Sequence, residues 1–337
     1  MLRGLASMPP HAARILAAAC LFALIGPTPF VEMVKPAFNQ SQEIGVTPLV
    51  YPAGASRTIG ALAYREGWVL DGRYTGFGGF SGMALLGERE FFLVSDTGIV
   101  ARFTLTRDGQ VLDSSIKPVP EGPGSADNKY ARDMEALVAS PDRETFWIGF
   151  EHANAIWKYS ADSEKALAHA RPQAMQSWAG NRGPESMARL NDGRFLVLSE
   201  NVDDDPRGKR ALLFAGDPTA APDDVIRFFY DPQGKGLATD VQQLPDGRVL
   251  ILHREVSLRH GFITRLAIAD VGAIRQDYVL HSKTVAEIAP PFVTENFEGM
   301  TILREGDDLM LWMVSDDNLM GFQRSLLVKY RINPALL

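Results

Sequence analysis

Residues 185–200 read Glu185-Ser186-Met187-Ala188-Arg189-Leu190-Asn191-Asp192-Gly193-Arg194-Phe195-Leu196-Val197-Leu198-Ser199-Glu200. An acid, a small residue and a methionine open a short strand, a turn follows, and an apolar strand ends on a second acid. Asp-Gly between two such runs marks a hairpin, because glycine accepts the positive φ of a tight turn. A two-residue turn centred on Asp192-Gly193 would pair Leu190 with Phe195 and Glu185 with Glu200.

The phrase recurs along the chain. Ser81-Gly82-Met83 leads to an apolar run over 91–96, and Glu135-Ala136-Leu137 to one over 146–151. Thr239-Asp240-Val241 leads to 249–253, with Asp246-Gly247 at its turn, and Glu298-Gly299-Met300 leads to 309–316. Units spaced by roughly 50 to 60 residues suit four-stranded propeller blades. The expected fold is therefore all-β, a β-propeller of six four-stranded blades over residues 45–335. Five blades are visible as units, and a sixth is expected from strands at 61–70 and 326–332. Closing the ring removes the exposed sheet edges that an open stack would leave. A β-sandwich or a two-domain β protein is the alternative. Helical periodicity is nearly absent after the leader, with one short turn expected over 163–170.

The composition, 46% hydrophobic and 22% charged, is that of a folded protein, and a net charge of −7 gives no nucleic-acid footprint. Arg3, His11 and Arg14 precede an apolar run over 15–25 that meets Gly26-Pro27. A basic leader before about ten apolar residues is the layout of a secretory signal and short for a membrane span. Residues 1–32 are expected to be a signal peptide or N-terminal anchor, delivering the protein to the periplasm or exterior. No small-x-small pair follows the run, so an uncleaved anchor stays open, and membrane contact is expected through that segment alone. Cys20, the only cysteine, lies inside the run. The mature chain then needs no disulfide, and a monomer is expected.

Repeating the hairpin around a ring gathers two sets of acids at one end. The first is Glu135, Glu185, Asp240 and Glu298; the second is Asp96, Glu151, Glu200 and Asp316-Asp317-Asn318. Asp240 is one position out of register, so it reaches the channel only if a bulge reorients its strand. Crowded carboxylates repel and raise one another's pKa unless a cation or basic groups sit among them. Oxygen donors suit a hard divalent cation, Ca²⁺ first, and the six histidines show no zinc-type spacing. The alternative is that each acid caps a loop or pairs with an arginine. Arg132 and Arg182 each stand three residues before a glutamate of the first set, placed to clamp a phosphate or carboxylate. Lys129, His152, His253 and Arg254 are further cationic or proton-transfer candidates near that face.

Several phrases together resemble the phytase-like, or "esterase-like activity of phytase", family of exported bacterial proteins. They are Gly79-Phe80-Ser81-Gly82-Met83, Asp133-Met134-Glu135-Ala136-Leu137 and Gly183-Pro184-Glu185-Ser186-Met187, followed by Leu244-Pro245-Asp246-Gly247-Arg248, Asn296-Phe297-Glu298-Gly299-Met300 and Ser315-Asp316-Asp317-Asn318. The resemblance runs from about Gly67 to Ile332. Family members often carry Leu-x-Arg after the Asp-Gly turn, and Leu252-His253-Arg254 is close to it. The resemblance implies a propeller and a hydrolytic activity. A divalent cation at the channel mouth would activate water against a small anionic phosphoester or ester, with Glu135, Glu185, Asp240 and Glu298 as ligands or base. Arg132 and Arg182 would stabilise developing charge. The competing reading is a non-catalytic envelope propeller that binds an anionic ligand, a glycan or a protein partner, since fold does not fix function.

Overall fold

The computed structural model describes residues 39–125, 129–162, 165–179, 182–200, 205–257 and 259–337. The segment 1–32, read as a leader, lies outside them. The unit considered below is Asn39–Leu337.

The hairpin that opens the sequence reading is one residue longer at its turn than expected. Leu190 N donates to Arg194 O at 2.7 Å and Gly193 N to Leu190 O at 2.9 Å, so Asn191-Asp192-Gly193 form a three-residue loop. Gly193 takes the left-handed conformation at φ +94, and the Asp192 carboxylate accepts Arg194 N at 3.1 Å. An aspartate that bonds the backbone two residues on fixes such a turn locally. Arg189, not Leu190, therefore faces Phe195. Pro245-Asp246-Gly247 repeats the arrangement.

The strands assemble into five sheets, a five-bladed propeller. Blade 1 runs from its inner to its outer strand as Phe80–Leu85, Glu90–Ser95, Ile99–Leu105 and Val111–Pro118. Blade 2 is Met134–Ala139, Thr145–Phe150, Ala155–Ser160 and Ala166–Ala170, so the helical turn expected over 163–170 is an edge strand where described. Blade 3 is Pro184–Arg189, Phe195–Ser199, Lys209–Phe214 and Val225–Asp231, with Val279–His281 added in parallel at its edge. Blade 4 is Leu237–Gln243, Val249–Ser257, Gly261–Ala269 and Lys283–Ile288.

Blade 5 corrects the expected count of six. Asn296–Glu305 and Asp308–Asp316 are its inner strands, Leu326–Ile332 its third, and Leu62–Gly72 its fourth. The terminal strands do pair with each other, but they complete the fifth unit instead of making a sixth. The open edge of Leu326–Ile332 is covered by Leu62–Gly72. Ile44–Pro48 then adds outside Leu62–Gly72.

The apolar core lies between blades, one cluster per gap. Phe92, Phe146 and Phe150 pack between blades 1 and 2, Trp147 and Phe195 between 2 and 3, and Leu213 and Ile251 between 3 and 4. Leu252 and Met313 join blades 4 and 5. Phe91 and Trp312 join blades 5 and 1, with ring centroids 4.9 Å apart. Strand alternation explains this: each buried strand sends successive side chains to opposite faces, and both faces meet a neighbouring blade. Around the axis the inner strands approach so closely that a Cβ on Gly299 would lie 3.0 Å from the Cα of Gly82.

Candidate functional site

Each inner strand carries a register shift one or two residues from its start. The extra residues are Ser81, Glu135, Glu185, Thr239 and Glu298, one per blade. A bulge leaves that residue out of the ladder and re-aims its side chain. A second set occupies equivalent places on or just past the adjacent strands: Asp96, Glu151, Glu200, Arg254 and Asp316. Asp96 N and Glu151 N donate back to Gly79 and Asp133 carbonyls, while Arg254 faces Leu237 and Asp316 faces Asn296 in the ladders. Pseudo-symmetry thus delivers two side chains per blade to one end of the axis.

All of these except Thr239 line a pocket of about 310 Å³ that also takes in Tyr130, Asp133 and Asn318. Eight of its residues are carboxylic acids (Asp96, Asp133, Glu135, Glu151, Glu185, Glu200, Glu298 and Asp316), and one, Arg254, is a permanent cation. Its guanidinium lies 3.2 Å from Glu200 and 3.1 Å from Glu298. Burial opposes the Arg254 charge, yet Glu298, Glu185, Glu200 and Glu135 outweigh it and raise its pKa.

One guanidinium does not balance the acids. Burial, then Glu185, Asp133, Glu298 and Glu151, lifts Glu135 well above the usual carboxylate range. Glu185 is lifted likewise by burial, Glu200 and Glu298. Glu151 is pushed up to about 8 by burial, Asp133 and Glu200. Glu298 reaches about 8 through burial despite Arg254, and Asp316 about 6, again chiefly through burial. Asn296, fully buried, donates its amide to Glu298 at 2.9 Å and Asp316 at 3.0 Å. Its carbonyl oxygen has no hydrogen-bond partner.

Blade 2 brings the tightest set of ligand atoms. Among the described residues, Asp133, Glu151 and His152 form the group whose carboxylate or imidazole atoms lie within 4.8 Å of one another. His152 Nδ1 is 2.8 Å from Asp133 Oδ2 and 3.4 Å from Glu151 Oε2. Two carboxylates and an imidazole, next to acids kept from ionising freely, are a donor set that fits a divalent cation. Such an ion would supply the charge that Arg254 alone does not.

Of the acids expected from the sequence, Glu135, Glu185 and Glu298 share this pocket and Asp240 does not. The bulge in blade 4 falls on Thr239, so the next residue turns inward. Asp240 accepts Val241 N and Met300 N, both at 2.7 Å, and ties blade 4 to blade 5. Asp317 is also structural, accepting from Gly79 N, Leu319 N and the Ser325 hydroxyl. Arg132 is buried against Gly98 and Gly122 and does not line the pocket. Arg182 sits at half exposure, where with Arg254 its charge tempers the rise that burial imposes on the Glu200 pKa. His253 is buried, bonded to Tyr230, and pushed down to about 4 by burial. The guanidinium inside the pocket is that of Arg254, to which the sequence reading gave no firm role. Extending the fourth unit one residue past His253 would have aligned it with Asp96, Glu151, Glu200 and Asp316. Asp133 and Asn296 carried no such signal, since neither follows the repeat.

The fold and site define a propeller of five blades with an acid-lined funnel at one end of its axis. A family model described as "Phytase-like: Esterase-like activity of phytase" matches residues 75–319, and the chain belongs to this family. No curated protein matches it. Solved structures that align with it include a provisionally named 6-phosphogluconolactonase from Bacteroides uniformis, 16% identical with a TM-score of 0.41, covering 80% of this chain and 78% of that one. An α-L-arabinofuranosidase from Podospora anserina, in complex with cellotriose, is 11% identical with a TM-score of 0.48, covering 87% and 98%.

Proposed function

We propose that the chain is a hydrolase of carboxylic or phosphoric esters that works with a divalent cation held in blade 2 by Asp133, Glu151 and His152. The observation that carries this reading is the collection of eight acids around one guanidinium in a single pocket. Such a site costs stability unless it binds a cation, so its presence argues for use. The ligand set differs from the Glu135–Glu185–Asp240–Glu298 set read from the sequence, because the bulge positions spread those glutamates around the axis while blade 2 supplies three adjacent groups.

A bound divalent ion would polarise the ester oxygen and make a bound water more acidic. Glu135 stands beside the ligands and feels both Asp133 and Glu151 electrostatically. Its raised pKa suits a group that takes a proton from water and returns it to the leaving oxygen. Arg254 presents positive charge for a developing anion while holding Glu200 and Glu298. Asn296 fixes Glu298 and Asp316.

The test is metal analysis of purified protein, followed by an ester and phosphoester screen with Ca²⁺, Mn²⁺ or Zn²⁺ and with chelator. Chelation and Glu151→Gln should each abolish hydrolysis, and Glu135→Gln should lower kcat by about 10²-fold or more. Cation binding without turnover of any ester would select the binding-protein reading instead.

A further inference from the structure

A second cavity, of about 430 Å³, adjoins the acid pocket and differs from it chemically. Trp157 and His169 stand directly opposite each other on the two outer strands of blade 2. Their rings stack at 4.4 Å and 16°. Ala131, Ala153 and Ala155 keep the space open in front of them. Tyr130 borders both cavities, so its ring forms the wall between them. The Tyr130 ring is 67% exposed and packs against the His152 ring at 5.2 Å.

We propose that this cavity is the subsite for a planar aromatic group of the ligand whose polar end reaches the acid pocket. This deepens the hydrolase reading and rests on it for the polar end alone. The chemistry changes across the shared wall. Eight carboxylates line the acid pocket, whereas among the described residues none, and no side-chain amide, lines the aromatic one. A flat apolar ring gains both area burial and ring–ring contact from the Trp157–His169 pair. The volume falls within the range of small-molecule pockets. Arg171, exposed at the lining, meets a ring from its outer side and tolerates an anionic substituent there.

Binding, read without turnover, tests the proposal. Saturation-transfer NMR titrations would use benzyl alcohol as probe and cyclohexylmethanol as its saturated control, on the full chain. Benzyl alcohol is expected to bind at least about fivefold tighter than the control, a ratio set by ring–ring contact of about 1 kcal/mol. Trp157→Ala should weaken benzyl alcohol by about tenfold. Ala153→Phe, which fills the space from a half-exposed position, should do the same without removing a packed side chain. Glu135→Gln should leave this binding unchanged even where it removes hydrolysis, which separates failure of the subsite from failure of the hydrolase reading. Equal binding of the two probes, or benzyl alcohol binding that survives both pocket variants, would overturn the proposal.

Discussion

At the residue scale the site turns on one substitution in the repeat. Four blades place an acid after the second strand, and blade 4 places Arg254 there. Among the described residues its guanidinium is the only permanent cation lining a pocket of eight acids. Arg254→Gln keeps much of the volume and some hydrogen bonding but leaves Glu200 and Glu298 without their partner. Removing one member of a buried pair typically costs about 3–5 kcal/mol. The loss should be large at pH 8, where more of the acids ionise, and small at pH 5. Urea melts of wild type and variant at both pH values measure it, and an equal loss at the two would refute the counter-ion role. Added divalent cation should recover part of the loss. The sequence displayed the acids readily because the acid-small-Met phrase repeats. It also showed Asp240 one position out of register with the glutamates, and the ladder keeps it there, with the bulge on Thr239 as on Glu135, Glu185 and Glu298. Only the ladder shows that Thr239 is the residue left unpaired.

At the element scale the propeller is closed by a strand whose blade no local pattern advertises. The hairpins were legible because each is specified within some sixteen residues by its own turn and alternation. The blade count was not: the strands at 61–70 and 326–332 pair as expected, but nothing local to them marks that they complete the fifth blade and not a sixth. Leu62–Gly72 and Leu326–Ile332 both fall outside the family match at 75–319. A chain limited to 75–319 would lose the outer half of blade 5 and expose the inner strand pair there. Tyr64, Tyr330, Leu326 and Val328 would leave the cluster between blades 4 and 5, and Trp68 and Leu327 the one between 5 and 1. Burying a side chain of this kind is worth about 1.5–3 kcal/mol each, and a domain's total stability is only about 5–15 kcal/mol. The truncated chain is expected to lack a cooperative melt and to aggregate, whereas residues 39–337 should melt cooperatively. A folded, monomeric 75–319 fragment would show that closure is dispensable.

At the scale of the whole molecule, the acid funnel couples stability to both pH and cations. Glu151 and Glu298 have an ordinary carboxyl pKa of 4.5 and rise to about 8 in the fold, and Asp316 rises from 3.8 to about 6. Between those limits the native state binds more protons than the unfolded chain, so stability falls as pH rises. Below about pH 4 the groups are protonated in both states and contribute no penalty; by pH 8 most of it is present. Asp192, Asp205 and Asp246 have lowered pKa values through their arginine partners and titrate below pH 5, so they do not set the slope above it. In chelator the melting temperature should therefore drop between pH 5 and pH 8, by more than about 5 °C, since a kcal/mol moves a domain of this size by roughly 2 °C. A divalent cation at a hundred times its Kd adds about 2.7 kcal/mol to the native state and should restore most of that drop at pH 8. Two variants separate charge relief from ligation. Glu185→Gln removes a repelling charge outside the blade 2 ligand set, so it should raise the chelated melting temperature at pH 8 and keep the cation response. Glu151→Gln should also raise the chelated value, yet lose the response. A chelated protein whose melting temperature is flat from pH 5 to 8 would mean that the acids are compensated within the fold. A Glu151→Gln protein that still responds to cations as wild type does would remove the ion from blade 2.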